Sequence, residues 1–155
     1  MSPSNFYQGN RVLVLLSIVI LAAPILLYQT TMTMAEVWRV NETFTHGFLV
    51  FPIVFWLIWE KKDALSALQP KPIPAVSILT FLSGCVWLIS ALIDIKVVMQ
   101  LSMIAIILTM ALAILGWKII EYLLFPLLFL FFAVPLGQGL IPPMMELTAH
   151  NTVNM

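Results

Sequence analysis

Two histidines and one cysteine are the side chains of this sequence best suited to acid–base or nucleophilic chemistry. His46 and His150 lie far apart: His46 stands where the second apolar run begins, and His150 stands in a polar stretch near residue 155. A histidine at the edge of a membrane can relay a proton, bind a metal or contact a substrate, and it can equally cap a helix or rest among lipid headgroups. Neither histidine has carboxylates at ligand spacing, so we expect no metal site.

Cys85 is the single cysteine, so the chain has no internal disulfide and no pair of thiols for metal or redox chemistry. It stands inside an apolar run, where a cysteine acts as a small, buried and inert hydrophobe. The sequence also has no glycine-rich phosphate loop, no serine-hydrolase or zinc-protease motif and no close thiol–histidine pair. We therefore expect no cofactor, and we assign no catalytic residue.

The composition points to a membrane protein. Hydrophobic residues make up 62% of the chain, charged residues only 9%, and the mean hydropathy is +1.07. Too few polar side chains are present to cover a globule in water, so the lipid bilayer is the expected partner. Seven basic residues balance seven acidic ones, without a basic cluster that would bind nucleic acid.

Five apolar segments are long enough, or nearly so, to cross a bilayer as helices. They are residues 12–28, 44–59, 75–93, 97–115 and 119–134. No ten-residue blocks of alternating hydrophobicity appear, which argues against a transmembrane barrel. The sequence therefore predicts one all-α domain over residues 1–155, a polytopic bundle of about five spans.

The polar breaks between the segments predict the topology. A proline-rich connector at residues 64–74 follows the second span, and a tight turn at residues 94–96 makes an antiparallel hairpin of the third and fourth. A cytoplasmic N-terminus puts five basic residues inside and two outside, as the positive-inside rule favours. The five are Arg11, Lys61, Lys62, Lys71 and Lys118, and the two are Arg39 and Lys96.

With five spans and a cytoplasmic N-terminus, two polar segments share the outer face. They are a loop at residues 29–45, which contains Glu36 and Arg39, and a tail at residues 136–155, which contains His150. An outer-face site built from both is one interpretation. Ordinary solvated loops that anchor the protein at the interface are the other.

Two long motifs give the chain a resemblance to a known family. Residues 38–62, WRVNETFTHGFLVFPIVFWLIWEKK, and residues 116–153, GWKIIEYLLFPLLFLFFAVPLGQGLIPPMMELTAHNTV, resemble the early and middle signatures of exosortases of the A type. Order and spacing agree, and the resemblance covers nearly the whole chain. The residues that carry it, each of unknown role, are His46, Gly47, Pro52, Pro126, Pro135 and Pro142.

The resemblance implies a multi-pass cysteine peptidase/transpeptidase of the bacterial inner membrane. With five spans and a cytoplasmic N-terminus, the C-terminus of this chain is then expected to be periplasmic. Such enzymes are thought to process proteins that carry a PEP-CTERM sorting signal, often in connection with exopolysaccharide. Their proposed catalytic cysteine, arginine and histidine lie in the second half of the family's sequence, and neither Cys85, His46 nor His150 matches them. We therefore expect the N-terminal portion of such an enzyme, inactive alone.

Two other functions remain open at this point. One is a non-enzymatic membrane module that binds sorting signals or a partner subunit. The other is a fragment of a transporter, which the lack of an internal repeat and the near absence of intramembrane charges disfavour.

Overall fold

The fold is known from a computed structural model, which describes residues 3–66 and 68–139, with side chains for residues 11–65 and 68–137. Within these residues the chain is helical and contains no strand, which confirms the predicted all-α class. The α-helices are α1 (Pro3–Leu26), α2 (Tyr28–Val40), α3 (Gly47–Glu60), α4 (Lys62–Ser66), α5 (Ser77–Leu92), α6 (Lys96–Leu115) and α7 (Trp117–Phe129). Short 3-10 turns occupy Glu42–Phe44, Pro74–Val76, Leu130–Ala133 and Leu136–Gly139.

Several of these helices are long and apolar enough to cross a bilayer. Among the described residues, Glu42–Glu60, Pro74–Leu92 and Lys96–Leu115 meet this condition, and the bent pair α1–α2 makes up to four spans. The fifth predicted span corresponds to the 13 residues of α7 and the four of the following turn, together about 28 Å long. That length is slightly below the ~30 Å hydrocarbon core, so a count of five spans stays a prediction.

The predicted outer loop at residues 29–45 is wrong over most of its length, because Tyr28–Val40 forms α2. Thr30, Met34 and Trp38 follow one another at one-turn spacing and are all buried. Packing of these three side chains stabilises a helix where the polar composition predicted a loop. The bend between α1 and α2 is 87°. The two helices qualify as a membrane span only together, and the bend turns the axis of α2 across that of α1.

The core is built around α6. Met103, Ile104, Ile107, Ala111 and Leu115 lie on one face of α6 and are at most 1% exposed. They pack among buried apolar side chains of the other helices, and α6 is in contact with α1, α2, α5 and α7. The shared spacing of three or four residues is what gives α6 a continuous buried face.

By contrast, α5 has one buried residue, Ser90, and rests almost entirely on α6. Its outer face carries large exposed apolar side chains such as Phe81 and Ile89. Such a face needs hydrocarbon around it, which agrees with a membrane span. The turn between the two helices places Asp94 at φ 55° and closes with a 3.0 Å hydrogen bond from the Ile95 N–H to the Ser90 carbonyl, forming the predicted hairpin.

The proline-rich connector begins as the short helix α4 and continues without helix to the turn at Pro74. Its backbone N–H groups at Lys71 and Ile73 donate to the carbonyls of Leu115 and Ala113, at 3.2 and 2.9 Å. These bonds satisfy carbonyls that the end of α6 leaves free. Gly116 follows with φ 82°, and a Cβ there would overlap the Lys71 carbonyl. The connector is therefore fastened to the end of α6.

Contacts between the helices show which ends lie together. The indole N–H of Trp87, late in α5, donates to Thr30 Oγ1 of α2 at 3.0 Å. The Lys71 bond to Leu115 joins the opposite ends. We call these the α2 end and the connector end of the bundle. Successive long helices alternate between these two ends, and the orientation of the bundle in the membrane stays a prediction.

Candidate functional site

The two motifs that carry the family resemblance meet at the α2 end, through Trp38. Its indole is 5% exposed, and its Nε1–H donates a buried 2.9 Å hydrogen bond to the carbonyl of Ala133. Ala133 ends the 3-10 turn after α7, where carbonyls lack partners within the turn. The Trp38 side chain of the first motif therefore donates the hydrogen bond that the Ala133 carbonyl of the second motif does not receive within its own turn.

Gly47 lies directly beneath the same indole. A Cβ at position 47 would overlap the Trp38 ring, so only glycine allows the start of α3 to lie this close to the indole. Phe48 meets the indole edge-on with ring centroids 5.3 Å apart, and Phe51 lies at 6.2 Å. Aromatic pairs of this kind each add about 0.5–1.5 kcal/mol beyond area burial. The requirement for glycine gives the motif residue Gly47 a packing role.

A second contact joins the motifs beside the first. A Cβ at Gly137 would lie 3.1 Å from Phe44 Cζ, so the Phe44 ring packs against the backbone there. Pro135, another motif residue, is buried. In the sequence it stands between Ala133 and Gly137, the residues of the second motif that make the two contacts. We call the set Trp38, Phe44, Gly47, Ala133 and Gly137 the motif junction. The described start of the predicted tail thus lies beside the residues that precede α3.

His46 stands at the edge of the junction and is exposed. Its Nδ1 lies 3.1 Å from the Thr43 carbonyl oxygen, and because a carbonyl only accepts, Nδ1 must carry the proton. The neutral ring therefore keeps its lone pair on Nε2. His46 occupies the N-cap position of α3 without a side-chain capping bond, so helix capping is not its role. An accessible imidazole with its lone pair on Nε2 can accept a hydrogen bond there.

Two motif prolines lie inside helices. Pro52 is within α3 and exposed, and Pro126 is within α7 and buried. A proline cannot donate to the carbonyl four residues earlier, which for Pro126 is that of Tyr122. Lys61 Nζ donates to this carbonyl at 2.6 Å. Lys61, the penultimate residue of the first motif, thus satisfies a backbone group released by a proline of the second, at the connector end.

The other polar candidates are not brought to the junction. Cys85 lies within α5 and is half-buried. Among the described residues, no group of three or more histidine, cysteine, aspartate or glutamate side chains is placed to hold a metal ion. Pro142 and His150, which the sequence analysis named, lie outside the described residues.

The sequence did not single out Trp38 or Lys61. For Trp38 a signal existed, since Thr30, Met34 and Trp38 repeat every four residues through a stretch without glycine or proline. For Lys61 the signal is weaker: it requires knowing that Pro126 frees a carbonyl at the same end of the bundle.

Comparison with known proteins agrees with these motifs. No curated protein and no solved structure matches the chain. The sequence model of a family described as transmembrane exosortase matches residues 38–155, from Trp38 of the junction onward. The match spans well over half of the sequence, and the junction joins its early and middle parts. The chain belongs to the transmembrane exosortase family.

Proposed function

We propose that this chain is the membrane-embedded N-terminal part of an exosortase-type cysteine peptidase/transpeptidase that processes PEP-CTERM sorting-signal proteins for surface display. The family match supports the enzyme class. The observation that carries the proposal is the motif junction, where Trp38 fastens the first motif to the end of the second. In this proposal the junction holds the two motifs in register and leaves His46 accessible beside them.

The distribution of basic residues supports an orientation in the bacterial inner membrane. Lys61 and Lys71 belong to the connector end, and Arg39 to the α2 end. Because positive charge concentrates on the cytoplasmic side, the connector end faces the cytoplasm and the α2 end the periplasm. In this proposed orientation the motif junction and His46 lie on the side where an exported protein would be processed.

Cys85 does not serve as the nucleophile in this proposal. It lies seven residues before Leu92, the last residue of α5, which is about 10 Å along the helix axis. Acyl transfer by a thiolate needs a polar, proton-exchanging environment, and the neighbouring outer face of α5 is apolar. Since Cys85 is the single cysteine, these 155 residues alone should have no peptidase activity.

A reporter protein with a PEP-CTERM signal tests this function. We expect no cleavage when the chain is expressed alone, and cleavage when it is co-expressed with a separate catalytic half of an exosortase. Cys85→Ala should leave that restored cleavage unchanged, whereas Trp38→Phe should reduce it by loosening the junction. Cleavage by the chain alone, abolished by Cys85→Ala, would overturn the proposal.

A groove between α5 and α6 favours the second candidate, a non-enzymatic module that binds sorting signals. Its volume is about 510 Å³, and its lining is apolar apart from Ser83, Ser102 and Thr109. Small and hydroxyl-bearing residues allow a further helix to approach closely within a membrane. If the chain is such a binding module, a photo-crosslinker at Val98, which lines the groove, should capture the transmembrane helix of the reporter. This capture should occur even where co-expression with the catalytic half restores no cleavage.

A further inference from the structure

A second cavity lies at the α2 end, against α2 and the start of α3. Its volume is about 380 Å³, and its lining residues are Met32, Ala35, Glu36, Arg39 and Phe48. Four of these follow one face of α2 at spacings of three or four residues. The cavity therefore combines an apolar wall with one carboxylate and one guanidinium. The side chains of Glu36 and Arg39 are exposed, so the cavity is accessible from outside the protein.

The two charged groups are available to a ligand. Glu36 and Arg39 are three residues apart on a helix, a spacing that often supports an ion pair. Among the residues that the structure describes, however, neither has an ion-pair partner within 4.0 Å. A carboxylate and a guanidinium that are unpaired within the described part of the chain and lie beside one cavity suit a ligand that carries both a cation and an anion.

The position of α2 indicates where such a ligand comes from. α2 turns away from α1 by 87°, so its axis runs across that of α1 at the α2 end of the bundle. Its buried stripe faces the bundle and its exposed face carries Glu36 and Arg39. A charged helix face in this orientation lies at the level of the lipid headgroups.

We propose that this cavity is a binding site for an aminophospholipid, with the lipid phosphate on Arg39 and its primary ammonium on Glu36. The guanidinium donates two N–H groups to phosphate oxygens, and the carboxylate accepts from the ammonium. Met32 and Phe48 border the glycerol and the first methylenes of the acyl chains. The pairing uses every polar side chain of the cavity and leaves no charge without a partner.

The same chemistry separates the common phospholipids. Phosphatidylglycerol offers Arg39 a phosphate but offers Glu36 no cation. Phosphatidylcholine carries a quaternary ammonium, which has no N–H to donate to a carboxylate. Phosphatidylethanolamine alone among the three matches both groups. The inference is independent of the proposed function, because it concerns lipid selection and requires no cleavage.

The test is native mass spectrometry of the full chain released from nanodiscs of equimolar phosphatidylethanolamine and phosphatidylglycerol. We expect retained phosphatidylethanolamine in excess over phosphatidylglycerol. Arg39→Gln should weaken retention of both lipids, by about tenfold for one charge-assisted contact. Glu36→Gln should abolish the preference and leave phosphatidylglycerol bound. Glu42→Gln and Lys96→Gln, exposed charges at the same end but outside the cavity, are the matched controls and should change nothing.

A second measurement avoids the variants altogether. A photoactivatable phosphatidylethanolamine should label peptides that contain residues 32–39 or Phe48 in the unmodified chain. Equal retention of the two lipids, or labelling spread over the apolar outer face of α5, would overturn the proposal. Displacement of the label by millimolar free phosphoethanolamine would also contradict it, since the ligand would then be a soluble headgroup and not a lipid.

Discussion

Trp38 and Gly47 are in such close contact that any side chain at position 47 would overlap the indole ring. The two residues belong to different helices, α2 and α3, and both lie within the first family motif. Because Trp38 is also hydrogen-bonded to Ala133, the choice of glycine at one position secures a contact to a part of the chain far along the sequence. Packing therefore explains the glycine of the His46-Gly47 pair without any catalytic role.

Replacing Gly47 by alanine should destabilise the protein by about 1–3 kcal/mol, because the added methyl must push the indole aside. The measurement is the free energy of unfolding in a mixed detergent titration. Gly84→Ala is the matched control, since a Cβ at Gly84 meets nothing within 4 Å. That control should be neutral or stabilising by up to about 1 kcal/mol. Equal losses at the two positions would show that the indole is not the constraint.

Removing the indole N–H tests the hydrogen bond itself. Trp38→Phe should cost about 1–3 kcal/mol, because the Ala133 carbonyl is left buried without this donor. Amide hydrogen exchange should rise in residues 130–137 more than in α6. Trp56→Phe, at a tryptophan that is 62% exposed, should have little effect on either quantity. A uniform rise in exchange throughout the bundle would contradict a local role for this bond.

The sequence predicted the long apolar elements well because hydrophobic length dominates them. The hairpin of α5 and α6 and the proline-rich connector appear where the apolar runs break. The sequence failed at α2, because its composition is polar and its helical period rests on only three buried residues, the last of them Trp38. The α1–α2 bend determines whether these residues form a loop or a helix, and it depends on packing against the bundle.

The sequence predicted which residues belong to the candidate site, but it did not predict how they are arranged in space. The motifs identified His46, Gly47 and the prolines, but the contacts that join them run through Trp38 and Lys61, which no motif rule selected. Such contacts depend on which helix ends meet. Local pattern carries no information about that until the topology is known.

Gly116 is the residue on which attachment of the connector depends. Its backbone, with φ 82° and ψ 167°, is open essentially to glycine alone, and a Cβ would overlap the Lys71 carbonyl. Gly116→Ala should therefore cost about 1–3 kcal/mol from backbone strain alone, and limited proteolysis should become faster within residues 68–73.

Asp94→Gly provides the opposite case, because Asp94 has a positive φ of 55° without being glycine. Relief of strain of about 1 kcal/mol should roughly cancel the entropic cost of glycine, about 0.5–1 kcal/mol. Thermal stability should then stay near that of the unmodified chain. A large loss for Asp94→Gly, or none for Gly116→Ala, would mean that backbone conformation does not set the identity of these turn residues.

The contact of Lys61 with the Tyr122 carbonyl makes the most specific prediction. If Lys61 compensates for the N–H that Pro126 lacks, then Lys61→Met should cost about 1–3 kcal/mol in the unmodified chain. In a Pro126→Ala background the alanine N–H can reach the same carbonyl, so the cost of Lys61→Met should fall. A double-mutant cycle should give a coupling energy of about 1 kcal/mol or more.

Lys62 is the matched control for this cycle. Its ammonium lies 4.9 Å from the Trp59 ring centroid, a cation–π contact worth about 0.5–1 kcal/mol at an exposed site, and it does not involve α7. Lys62→Met should therefore cost the same with proline or alanine at position 126. Additive effects of Lys61→Met and Pro126→Ala would refute compensation. Coupling at Lys61 but not at Lys62 would show that Lys61 of the first motif and Pro126 of the second form one structural unit.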